Sequence, residues 1–168
     1  VKERARVLTV AAPCSGRVLP LSKVPDPVFS QAMMGPGAAI DPRTDGSGER
    51  TVVAPIAGTV AKAHPHAILI TDDAETGTFG VLVHLGINTV KLNGAGFTRL
   101  VEEGEAVAVG DPLTRWDPSA LPALADQAGL DPSEISAVSP VIALEQSAEN
   151  LRVSDAADVT AGALLFTL

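Results

Sequence analysis

The apolar runs of this chain are short, rich in Val, Ile and Leu, and cut every few residues by Gly, Pro, Asn or Asp. Runs of that length between turn formers build strands, and their order does not alternate strand with helix as an α/β protein requires. The expected fold is all-β, a mostly antiparallel sandwich or barrel with at most short helices. Strands are expected at Val7–Ala11, Gly16–Pro20, Thr51–Val53, Gly58–Lys62, Ala67–Thr71, Val81–Leu85, Ala106–Val107, Pro112–Trp116, Val141–Leu144, Arg152–Val153 and Ala163–Thr167. One helix is expected over Pro118–Ala128, with Asp117 capping its start and a proline in the first helical position. Residues 1–5 read as a tail, and Pro36–Arg50, dense in Gly, Pro, Asp and Ser, as a surface loop.

An internal echo adds long-range order. Ala12-Pro13-Cys14-Ser15-Gly16-Arg17-Val18 returns as Ala54-Pro55-Ile56-Ala57-Gly58-Thr59-Val60, and the run Val107–Leu113 is answered by Val159–Leu165. In both pairs a glycine stands where a turn or a close backbone approach is needed. The two pairs together imply one sandwich built from two similar β units.

With 168 residues, 46% of them hydrophobic, the chain suits a single domain over 1–168 with a core that needs no disulfide. That core must come from Val, Leu, Ile and Ala, because there is no Tyr and only four Phe and one Trp. A formal charge of −8 argues against a nucleic-acid partner and favours a basic protein. Cys14 is the lone cysteine, which points to a reducing compartment; its apolar setting suits a small buried side chain. No run of about 18 apolar residues suggests a membrane span, and the expected setting is the cytoplasm, with a monomer favoured.

The run Gly80–Val90 puts His84 inside an apolar strand, and His66 stands at the start of an earlier one. Strand side chains alternate, so Val81, Val83 and Leu85 share one face while Leu82 and His84 share the other. An imidazole in that setting is costly unless it finds a partner or does chemistry. Burial penalises its charged form and keeps it neutral, and a neutral ring with one nitrogen tied to a backbone carbonyl, such as that of Gly86, is a nucleophile at the other.

The order of separated blocks resembles the glucose-type enzyme IIA domain of the bacterial sugar phosphotransferase system. Those blocks are Pro13–Gly16, Val24–Phe29, Met33–Ile40, Ala54–Val60, His66-Ala67, Val83–Val90, Gly94–Phe97, Gly104 and Gly110-Asp111, spanning nearly the whole chain. The fold implied is again a two-unit β-sandwich, a duplicated hybrid motif. The resemblance implies that His84 takes phosphate from phospho-HPr and passes it to a cysteine of enzyme IIB, with His66 orienting or neutralising the phosphoryl group. It also implies that Val28, Phe29, Met33, Met34, Leu82, Asn88 and Val90 line the protein-docking face, and that transporters or metabolic enzymes are regulated by the same protein. No metal or organic cofactor is expected. The chain departs from the family pattern twice: His64 stands where Thr is usual, and Asn88 where Asp is common.

The main rival is a zinc-dependent hydrolase, with His64, His66 and His84 as three imidazole ligands. A second histidine-carboxylate pair of the kind such enzymes use is missing from the sequence. A biotinyl or lipoyl carrier is disfavoured because neither Lys62 nor Lys91 sits in a Met-Lys setting.

Overall fold

A computed structural model describes residues 8–42, 48–74 and 77–168. In chain order the strands are β1 (Thr9–Ala11), β2 (Gly16–Pro20), β3 (Gly37–Asp41), β4 (Arg50–Val53), β5 (Gly58–His64), β6 (Ala67–Ala74) and β7 (Gly77–His84). They continue with β8 (Phe97–Arg99), β9 (Ala106–Val107), β10 (Pro112–Trp116), β11 (Ser139–Ala143), β12 (Arg152–Val153), β13 (Asp158–Val159) and β14 (Leu164–Thr167). The α-helices are short: α1 (Pro27–Ser30) and α2 (Leu121–Gln127). Among the described residues, one sheet runs in the order β13-β2-β3-β11-β7-β6-β5-β9, and two three-stranded sheets run β1-β14-β12 and β4-β10-β8. The strand pairings are antiparallel.

The large sheet reads alike from its two ends, since β13-β2-β3-β11 is matched by β9-β5-β6-β7. The repeated segment is the cause. Gly16 and Gly58 each open a strand where a Cβ would strike a carbonyl oxygen, of Asp41 in one half and of Thr71 in the other. Ala12 accepts from the Gly162 amide at 2.8 Å, and Ala54 accepts from the Gly110 amide at 2.9 Å. Both of those glycines have φ near +90°, a turn conformation costly for side-chain-bearing residues. The echo in the sequence is therefore a structural duplication.

A hydrophobic core gathers Val10, Ile40, Ile70, Val81, Val141 and Phe166 among its buried members. Cys14 belongs to it, and burial pushes its thiol up to about 12, so it behaves as a small apolar group. A second cluster gathers Leu21, Val24, Phe29, Ile87 and Ile142, and a third gathers Val83, Leu85, Leu92, Trp116 and Leu121.

Three expectations need correction. Residues 37–41 of the expected Pro36–Arg50 loop form β3, held between β2 and β11 with Gly37 to Ile40 buried. Gly37-Ala38-Ala39 lacks the branched side chains that mark a strand, and its small size is what close packing demands: a Cβ on Gly37 would strike the Val141 carbonyl. The helix expected over 118–128 is divided into a 3-10 turn at Pro118–Ala120 and α2. Pro122 has no N–H and its ring would meet the carbonyl of Pro118 in a continuous helix, so α-helix geometry begins only at Leu121. Asp117 does cap the segment, accepting from the Ser119 amide at 3.0 Å. His66 lies in the Pro65-His66 turn that joins β5 to β6, just before the strand it was expected to start. The strands β8 and β13 and helix α1 were not anticipated. The proposed tail at residues 1–5, Val7 and residues 43–47 lie outside the described residues.

Candidate functional site

Register brings the histidines together. His64 pairs with Ala67 across the two-residue turn of β5 and β6, and Ala67 pairs with His84 on β7. His66, one residue before Ala67, therefore projects beside His84; their ring centroids are 5.2 Å apart and edge to face. The His66 carbonyl also accepts the Leu85 amide at 2.7 Å, which ties the turn to the end of β7. His64 stacks on His66 at 5.9 Å. On β7 the alternation holds, with Val81, Val83 and Leu85 fully buried and Leu82 and His84 half-buried.

The Nδ1 of His84 lies 2.7 Å from the carbonyl oxygen of Gly86. A carbonyl can only accept, so the neutral ring carries its proton on Nδ1 and keeps a lone pair on Nε2. Burial pushes the His84 pKa below its ordinary value, opposed by the Gly86 hydrogen bond and by the nearby charge of Asp26. His66 is pushed down to about 4 by burial and by its two histidine neighbours. Both rings are uncharged at neutral pH.

The expected docking residues divide by exposure. Val28, Met33 and Val90 are exposed apolar side chains, Met33 at 69%. Phe29 is buried, its ring 5.1 Å from that of His84, so it packs the imidazole from the core side of helix α1. Met34 and Leu82 are half-buried against the Phe29 cluster. Asn88 adopts a left-handed conformation at φ 61°, which Asn tolerates, and its amide donates to the Glu134 carbonyl at 2.8 Å.

Several contributors were not given these roles from the sequence. Asp26 caps α1 through the Val28 amide at 2.8 Å and lends its charge to His84. Thr89, fully buried, donates to the Leu85 carbonyl at 2.6 Å, and Ser139, also fully buried, accepts the Gly86 amide at 3.2 Å. A serine or threonine beside an apolar strand carries no signal of that role.

Residues 8–147 match the family model described as phosphoenolpyruvate-dependent sugar phosphotransferase system, EIIA 1. The chain belongs to this family. It is 37% identical to the PTS system glucose-specific EIIA component of Oceanobacillus iheyensis, over 96% of this chain and 90% of the relative. It is 39% identical to part of the glucose-specific EIICBA component of Staphylococcus saprophyticus, covering 97% of this chain but 22% of that longer protein. Among solved structures it is similar to the glucose permease IIA from Mycoplasma capricolum, with a TM-score of 0.77 and 30% identity over 97% of this chain and 96% of that one.

Membership of the EIIA family makes the chain a phosphoryl carrier of the sugar phosphotransferase system and removes the zinc hydrolase as a reading. Among the described residues no group of three or more His, Cys, Asp or Glu is placed to hold a metal ion. The three imidazoles form a row of ring contacts, and the Nδ1 of His84 is committed to Gly86. No helix among the described residues is long and apolar enough to cross a membrane.

Proposed function

We propose that His84 is the phosphoryl acceptor of this EIIA protein, a single domain that works in the cytoplasm. Its Nε2 lone pair attacks the phosphorus of phosphohistidine on HPr. The new N–P bond forms as the donor's N–P bond breaks, and the donor ring keeps the released electron pair. In the second transfer the thiolate of an enzyme IIB cysteine attacks, an S–P bond forms, and His84 recovers its lone pair. The observation that carries this reading is the 2.7 Å contact from Nδ1 to the Gly86 carbonyl, which selects the tautomer with Nε2 free.

Phosphoryl transfer asks mostly for positioning and charge stabilisation. His66 supplies the latter. It is neutral at rest, and a dianionic phosphoryl group on the His84 ring, whose centre lies 5.2 Å from that of His66, favours its protonated form. Partners dock over Val28, Met33 and Val90, with Phe29, Met34 and Leu82 beneath and Asn88 alongside. Met side chains repack easily, so one face can serve HPr and enzyme IIB in turn.

Incubation with enzyme I, HPr and labelled phosphoenolpyruvate tests the reading. The expected result is an acid-labile, base-stable label on His84 that is lost in His84→Gln. A label mapped to another residue, or none on the parental protein, overturns it.

A further inference from the structure

At the end of β7 the sheet hands its hydrogen bonds to side chains. β7 and β11 pair through Val83 with Val141, Leu82 with Ile142 and Val81 with Ala143, a register that sets Gly86 opposite Val138 if the ladder runs on. Leu144 donates to the Gly80 carbonyl at 2.8 Å, so alternate pairs from there, Gly86 with Val138 among them, fall on hydrogen-bonding positions. A regular pair would spend both the amide and the carbonyl of Gly86 on Val138. Instead the Gly86 amide donates to Ser139 Oγ at 3.2 Å, and the Val138 amide donates to Ser136 Oγ at 3.1 Å. Gly86 turns out of the ladder at φ +79°, and its carbonyl receives the His84 ring.

We propose that Ser139 is a positioning residue for His84, holding the Gly86 amide so that the carbonyl beyond it stays turned to the imidazole. The hydroxyl is fully buried, and both of its roles are used, since it accepts from Gly86 and donates to the Ala137 carbonyl at 3.0 Å. A buried hydroxyl without such partners is costly, and so is a buried amide left alone. The peptide that carries the Gly86 carbonyl is gripped from its other edge, where the Ile87 amide donates to the Ser136 carbonyl at 2.8 Å. Ser139 is the side-chain half of that grip. Without it, Gly86 is free to swing its carbonyl toward the ladder, and the His84 ring loses the acceptor that fixes its tautomer.

The catalytic consequence rests on His84 being the phosphoryl acceptor, so the test separates the two claims. Imidazole ¹⁵N shifts of His84 are measured in the unphosphorylated parental, Ser139→Ala and Ser139→Thr proteins, alongside the rate of phosphoryl acceptance from phospho-HPr. The parental and Thr proteins are expected to hold the proton on Nδ1, while the Ala protein mixes in the Nε2–H tautomer and accepts phosphate roughly ten- to hundredfold more slowly. An Ala protein with the parental tautomer and rate overturns the proposal. If Ser139→Ala does not fold, Ser139→Cys, with a much weaker acceptor of similar size, is judged by the same two criteria. A parental protein that takes no phosphate on His84 overturns the acceptor assignment, while the tautomer comparison still decides whether Ser139 holds the ring.

Discussion

The rings of His66 and His84 meet edge to face with centroids 5.2 Å apart, because the register of Ala67 with His84 carries the residue before Ala67 to the end of β7. One imidazole is tied through Nδ1 to the Gly86 carbonyl, and the other lies in ring contact with both His64 and His84. That asymmetry fits the division of work proposed for them, in which the first accepts phosphate and the second stabilises it.

Replacing His66 by Gln keeps a polar side chain but removes a group able to take up positive charge beside the phosphoryl group. His66→Gln is expected to accept phosphate from HPr and to pass it poorly to enzyme IIB. Single-turnover transfer to enzyme IIB measures this, and delivery at the parental rate would remove His66 from the mechanism.

The two lowered histidines make stability depend on pH. Their folded-state pKa values lie below the ordinary 6.5, His66 at about 4, so the unfolded chain binds protons first as the pH falls. The contribution is present in full above about 6.5 and is lost progressively down to about 4. Urea midpoints taken across that range should decline, and His66→Gln should decline less steeply. Parallel curves for the two proteins would show that His66 does not supply the linkage.

Gly86 has no room for a side chain. Its φ of +79° is unfavourable to other residues, and a Cβ there would lie 2.5 Å from Thr89 Cγ2 and 2.6 Å from the Ser136 carbonyl. Gly86→Ala is expected to cost about 2 kcal/mol or more in stability and to slow phosphoryl acceptance sharply. Denaturant unfolding checks the first effect. A midpoint unchanged from the parental protein would contradict the crowding.

Asn88→Asp exchanges a donor for a negative charge. The carboxylate cannot give the Glu134 carbonyl the hydrogen bond made by the Asn88 amide at 2.8 Å, a loss worth about 1 kcal/mol in stability. The added charge should tighten binding of a basic partner such as HPr at low salt. Titration calorimetry at low ionic strength compares the two, and equal affinities would discard the electrostatic part.

The one-dimensional pattern was enough for much of this molecule, wherever the needed physics is local. Short runs between turn formers gave most of the strands, and the repeated Ala-Pro-x-x-Gly-x-Val segment disclosed the duplication because both glycines meet the same steric demand. The alternation along Val81–Leu85 likewise put His84 on a half-buried face. Other features depend on what lies across the sheet. Gly37-Ala38-Ala39 became part of strand β3, where a Cβ on Gly37 would strike the Val141 carbonyl across the sheet, although the chain's own composition suggested a loop. Ser139, the carbonyl of Ser136 and the side-chain amide of Asn88 acquired their roles only when β11 and the segment before it came to lie against the end of β7. A hydrogen bond between residues distant in the chain is decided by register, and register is a property of the folded sheet.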